Sequence, residues 1–98
     1  MAKYKVVITD REYENIDNEK RILSQLDADL YDYQYKDKDK ILEVAKDADA
    51  LIIQYAKMPR DLIEQLDKCK IIARYATGFD GIDLEAATEK GIYVCNVN

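Results

Sequence analysis

The 98-residue chain sets 15 Lys and Arg against 20 Asp and Glu, for a net charge of −5, and contains no histidine. An acidic chain without a run of positive residues argues against nucleic acid as a ligand, because a phosphate backbone is gripped through clustered basic side chains. The absent imidazole excludes mechanisms in which a histidine of this chain is the general base, a triad member or a metal ligand.

Tyr4 to Thr9, YKVVIT, is a short β-branched run ending at Asp10 and predicts a first strand buried on both faces. Asn15 to Leu26 carries Ile16, Ile22, Leu23 and Leu26 on a helical stripe. Ala28 to Tyr35 alternates strictly, with Leu30, Asp32 and Gln34 on one side and Tyr31, Tyr33 and Tyr35 on the other, as an edge strand does. Asp37 to Ala48 places Ile41, Leu42, Val44, Ala45 and Ala48 on one helical face. Ala50 to Tyr55 is a third strand, and Pro59 opens a helix where its missing N–H is harmless, with Leu62, Ile63 and Leu66 facing inward. Lys70 to Tyr75 is a fourth strand. The turn from Ala76 to Gly81 leads into a helix capped by Asp83 and ended by Gly91, and Ile92 to Asn96 is a fifth strand.

Strands alternating with helices, with no hairpin signal between them, predict one α/β domain over residues 1–98: a flavodoxin-like three-layer sandwich with a five-stranded parallel sheet of order 2-1-3-4-5. With 48% apolar residues, three Gly and one Pro, the chain has the composition of a compact domain, large enough to bury about two thirds of its unfolded surface. No apolar run approaches a membrane span and no signal-peptide core follows Met1, so no membrane partner and a cytoplasmic location are expected. Cys69 and Cys95 sit in apolar contexts without metal-ligand spacing; reduced, buried thiols and no metal site are expected.

Ligands of such sheets lie beyond the carboxyl ends of the strands, here Asp10, Gln54 to Met58 and Ala76 to Asp80. The segment Asp10-Arg11-Glu12-Tyr13-Glu14 is acidic where a flavin phosphate would sit. The third strand ends in Gln54-Tyr55-Ala56-Lys57 and lacks the carboxylate of a phospho-acceptor pocket. Neither G-x-G-x-x-G nor G-x-x-x-x-G-K-[ST] occurs, so no nucleotide cradle is expected. The turn Thr77-Gly78-Phe79-Asp80-Gly81-Ile82-Asp83 is small enough for backbone N–H groups to approach an anion such as a carboxylate. It equally suits a plain strand-to-helix connection.

The run Ala48-Asp49-Ala50-Leu51-Ile52-Ile53-Gln54-Tyr55-Ala56, followed by Lys70 to Val97 with Arg74-Tyr75-Ala76-Thr77-Gly78-Phe79-Asp80-Gly81-Ile82-Asp83 and Ala86-Ala87-Thr88-Glu89-Lys90-Gly91-Ile92-Tyr93-Val94-Cys95-Asn96-Val97, resembles the N-terminal substrate-binding (catalytic) domain of the D-isomer-specific 2-hydroxyacid dehydrogenases. It is most similar to the phosphoglycerate dehydrogenase and C-terminal-binding-protein-like branches, which read R-x-G-x-G-x-D-N-I-D and then A-A-x-x-x-G-I-x-V-x-N-V-P. Ala76 stands where many members have Gly, and Gly81 where Asn is usual.

The resemblance implies that the backbone of Thr77 and Gly78 holds a substrate carboxylate and that Tyr55, Ala56 and Lys57 line the pocket, with no catalytic residue in this chain. Arg74 is then a structural strand-end residue. The implied ligand is a small 2-hydroxy or 2-keto acid. NAD is the cofactor of the resembling full-length enzymes, with no cofactor site among these residues, and the nucleotide-binding domain is expected to be absent from this chain. The expected function is that of an isolated substrate-binding domain, catalytically incomplete alone. The alternative is a stand-alone scaffold or interaction module without a ligand site. Self-association is expected through apolar surface that the missing domain normally covers; for Tyr31, Tyr33 and Tyr35 a helix-covered or half-solvated edge is the simpler expectation.

Overall fold

A computed structural model describes residues 4–11, 21, 25, 28–35, 37–75 and 81–96. In chain order these form β1 (Tyr4–Ile8), β2 (Ala28–Asp32), α1 (Lys38–Ala45), β3 (Ala50–Ile53), α2 (Arg60–Ile63), β4 (Ile71–Arg74), α3 (Leu84–Lys90) and β5 (Tyr93–Asn96). The strands pair in parallel in the order β2-β1-β3-β4-β5, the flavodoxin-like order expected from the alternation of elements. Of the helix expected over 15–26, only Arg21 and Gln25 are among the described residues.

Partners across a parallel ladder point to the same face. Val7, Leu51, Ile72 and Val94 therefore share one face through the pairs Val7↔Leu51, Leu51↔Ile72 and Ile72↔Val94. Val7, Leu51, Ile53 and Ile72 are buried in one cluster with Ile41 and Ala45 of α1, Leu62 and Ile63 of α2, and Ala86 and Ala87 of α3. All three described helices thus cover the same side of the sheet. α1 starts, and α3 starts and ends, where the sequence predicts, whereas α1 stops at Ala45, short of Ala48, and α2 stops at Ile63, short of Leu66. The Asp37 carboxylate accepts from the Lys40 N–H at the start of α1, and Asp83 accepts from Ala86 at the start of α3. Gly91 ends α3 at φ 75°, a left-handed conformation that glycine adopts without steric cost. Pro59 stands at the N-cap of α2, one residue earlier than a first-turn position.

The tyrosines of the edge segment lie on the helix side, since Tyr31 pairs with Val7. Tyr33 and Tyr35 stack at 5.2 Å between ring centroids and pack against the core, and the Lys40 ammonium of α1 sits 5.7 Å from the Tyr35 ring. The ladder stops at Asp32, short of the expected Tyr35, but the Tyr33 and Tyr35 amides still donate to the Ile8 and Thr9 carbonyls.

On the other face, burial is uneven. Val6 and Ile8 are buried, whereas Tyr4, Ile71, Tyr93 and Cys95 are exposed and Ala50, Ile52 and Ala73 half-buried. The expectation of two buried thiols is therefore corrected: Cys69 is buried, but Cys95 is exposed, because alternation in β5 turns it to the face that the described helices leave bare.

Candidate functional site

The strand ends that should carry chemistry are drawn together by one carboxylate. Asp10 follows β1 after Thr9 and is 1% exposed. Its oxygens accept from the backbone N–H groups of Gln54 at 3.1 Å, Tyr55 at 2.6 Å and Ala56 at 3.1 Å, and from the Thr9 hydroxyl at 3.0 Å. A charged acceptor makes stronger bonds to amides than a neutral one, and burial removes the competition from water. The loop leaving β3 is thereby tied to the end of β1. From the other side, the buried Arg74 at the end of β4 donates through Nε to the Gln54 carbonyl at 3.2 Å.

Beyond this clamp the loop is held a second time. The Met58 N–H donates to the Gly81 carbonyl at 2.7 Å and the Asp83 N–H to the Met58 carbonyl at 2.9 Å, which makes a parallel bridge between Met58 and Ile82. Gly81 has φ +86°, and a Cβ there would lie 3.4 Å from Lys57 Cγ. Gly81 thus serves a left-handed backbone conformation that a larger side chain would strain, while the space beside Lys57 is ordinary van der Waals contact.

Of the three loop residues expected to line a pocket, Tyr55 (47% exposed) and Lys57 face outward, while Ala56 is buried in the core and presents only backbone. Thr77 and Gly78, the other expected contacts, lie outside the described residues. Asp10 is the residue whose role the sequence did not reveal. Its position at a strand end was visible, but its partners lie 44 to 46 residues away.

Two other features lie apart from these strand ends. Arg60 gathers Glu64, Asp83, Glu85 and Glu89 at 3.1 to 3.9 Å, and its guanidinium is held above the usual arginine range by hydrogen bonds to Glu89 and then Glu64. These groups are solvent-exposed, and exposed pairs add little stability. A groove of 480 Å³ between α3 and β5 is lined by Leu84, Thr88, Gly91, Ile92, Tyr93 and Val94, with no carboxylate, amine or guanidinium to orient a small acid. Among the described residues, no three His, Cys, Asp or Glu side chains cluster to hold a metal, and no helix is long and apolar enough to cross a membrane. Burial pushes the Cys69 thiol up to about 11.

A five-stranded parallel sheet with a tied loop beyond its strand ends defines a flavodoxin-like α/β domain with its candidate site at the carboxyl edge. The family described as "D-isomer specific 2-hydroxyacid dehydrogenase, catalytic domain" matches residues 6–98, and the chain belongs to that family. A D-3-phosphoglycerate dehydrogenase of Methanocaldococcus jannaschii is 52% identical over 60 residues, covering 60% of this chain and 12% of that protein. A glyoxylate reductase of Thermococcus onnurineus is 30% identical over 96 residues, covering 96% of this chain and 28% of the relative. The crystal structure of NAD+-bound 3-phosphoglycerate dehydrogenase from Entamoeba histolytica superimposes with a TM-score of 0.87 at 32% identity, over 97% of this chain and 33% of that one. The chain therefore spans a third or less of these relatives.

Proposed function

We propose that this chain is the substrate-binding part of an NAD-dependent D-2-hydroxyacid dehydrogenase and is catalytically incomplete by itself. The observation that carries the reading is the match to the catalytic-domain family over residues 6–98, together with a strand-end loop whose amides are tied to Asp10. In this reading the Thr77 and Gly78 backbone holds the carboxylate of a small 2-hydroxy or 2-keto acid, and Tyr55 and Lys57 flank it. Lys57 supplies positive charge toward an acidic substrate, and Ala56 contributes through its backbone position.

NAD chemistry is hydride transfer to or from the substrate carbon, and the cofactor must be held against that carbon. The described strand ends do not fit the cofactor. The amides of Gln54, Tyr55 and Ala56 already serve the Asp10 carboxylate, whose charge would oppose a pyrophosphate at the same place. In this reading NAD is held by residues other than these, and no step of the reaction is assigned to the residues described. A cytoplasmic location belongs to the same reading, in line with an exposed free thiol at Cys95.

Mixing the chain with NADH and a panel of 2-keto acids should give no turnover, and robust turnover without another protein would sink the reading. Titration with glyoxylate, followed by amide chemical shifts, should perturb Thr77 and Gly78; silence there favours a scaffold without a ligand site. The same reading has two copies associating through the exposed residues on the sheet face away from the described helices. There Tyr4, Ile71, Tyr93 and Cys95 bring no formal charge at neutral pH, so two acidic chains meet without opposing like charges. Sedimentation should show a concentration-dependent dimer, and a strict monomer at high concentration removes it.

A further inference from the structure

Three successive backbone N–H groups converging on one point form an anion nest, the arrangement by which proteins bind external carboxylates and phosphates. We propose that the amides of Gln54, Tyr55 and Ala56 form such a nest, that the chain fills it with its own Asp10 carboxylate, and that Asp10 is thereby the positioning residue of the loop Tyr55-Ala56-Lys57. The proposal rests on the substrate-binding reading only for the loop's part in binding; the nest itself stands on geometry.

The carboxylate sits 2.6 to 3.1 Å from the three amides and is 1% exposed, so an external anion does not reach them while Asp10 is present. Thr9 orients the carboxylate through its hydroxyl at 3.0 Å. Arg74 binds the Gln54 carbonyl at 3.2 Å, so the loop's first residue is held through both its donor and its acceptor. The Met58 amide and carbonyl then fix the loop's far end against Gly81 and Asp83. Between these two anchors the chain has little freedom, and Tyr55 and Lys57 leave it outward while Ala56 turns into the core. The consequence for binding is specific. A substrate carboxylate is denied the amides at the end of β3 and must find donors elsewhere, and removing Asp10 opens a second carboxylate site where none should compete.

The test uses the 98-residue chain and two variants. Asp10→Asn keeps the shape but turns an amide N–H₂ toward groups that are themselves donors. Hydrogen exchange at Tyr55 and Ala56 should then accelerate by about tenfold or more, while Val7 and Leu51 stay protected. Unchanged exchange at Tyr55 and Ala56 overturns the proposal. Asp10→Ala empties the nest. Its melting temperature should fall and then rise with added formate, but not with chloride at equal ionic strength; equal responses to the two salts overturn the proposal. If Asp10→Ala does not fold, refolding induced by formate and not by chloride is the supporting outcome, and exchange in Asp10→Asn decides if neither salt restores it.

Glyoxylate titration separates this proposal from the function it builds on. Binding to the wild type with perturbed Tyr55 and Lys57 signals that are lost in Asp10→Asn supports positioning, and identical titrations of the two proteins overturn it. No binding to the wild type defeats the substrate-binding reading, while the exchange and formate results still decide the role of Asp10.

Discussion

Ile71 and Ile72 are neighbours in β4 with the same side chain, yet Ile72 is fully buried and Ile71 is 38% exposed. Ile72 points to the face that α1, α2 and α3 cover, and Ile71 to the face they leave bare, where it pairs with Tyr93 at 77% exposure. The difference teaches that a continuous apolar strand reports a tendency to be covered and not the cover itself. Hydrophobicity belongs to each residue, but burial belongs to what packs on it.

The largest break of this comparison is Ile72→Ala, which should destabilise the fold by about 2 to 5 kcal/mol in denaturant unfolding, because it opens a cavity in a closed layer. A loss under about 1 kcal/mol would mean that the helical face is loosely packed. Next come the two thiols. With its pKa pushed up to about 11 from 9.0, Cys69 should alkylate on the order of a hundredfold more slowly than an ordinary exposed thiol near pH 8, and Cys95 should label readily. The sign of the linked stability follows. The unfolded chain ionises first, so the contribution present below pH 9.0 is lost as the pH rises toward about 11. Thermal unfolding between these limits checks it, and a stability rising with pH would contradict the burial of Cys69.

A local contribution should be smaller. Asp83→Ala removes the cap of α3 and should cost about 1 kcal/mol by denaturant unfolding. The smallest effect belongs to the most exposed large hydrophobic residue of the other face: Tyr93→Ser, at a position 77% exposed, should change monomer stability by no more than about 0.5 kcal/mol. It should also weaken any concentration-dependent dimer seen by sedimentation. A loss as large as that of Ile72→Ala would show that the second face is covered in solution after all.

What was legible beforehand depended on how local its cause is. Asp83 and Gly91 bound α3 where the sequence placed them, because a cap bonds within one turn and a left-handed glycine needs only its own backbone. The strand order followed from alternation of elements and from the differing faces of the edge strand. The stacking of Tyr33 on Tyr35 was not legible. Strict alternation puts Tyr31, Tyr33 and Tyr35 on one side without saying that α1 lies over it. The apolar neighbours of Cys95 suggest burial, and the period-two geometry of β5 turns it outward instead.

At the candidate site the same division holds. Residue types alone argued against a flavin phosphate, a phospho-acceptor and a nucleotide cradle, and the motif from Arg74 to Asp83 pointed to the family to which the chain belongs. The start of α1 at Asp37 and both ends of α3 were likewise written in patterns a few residues long. Only the tertiary structure decided that Asp10 reaches the amides of residues 54–56, that Gly81 takes a positive φ beside Lys57, and that Ile71, Tyr93 and Cys95 are exposed while Ile72 is buried. Each of these joins segments distant in the chain, and such contacts depend on how the strands register and what covers them, which no short window of sequence contains.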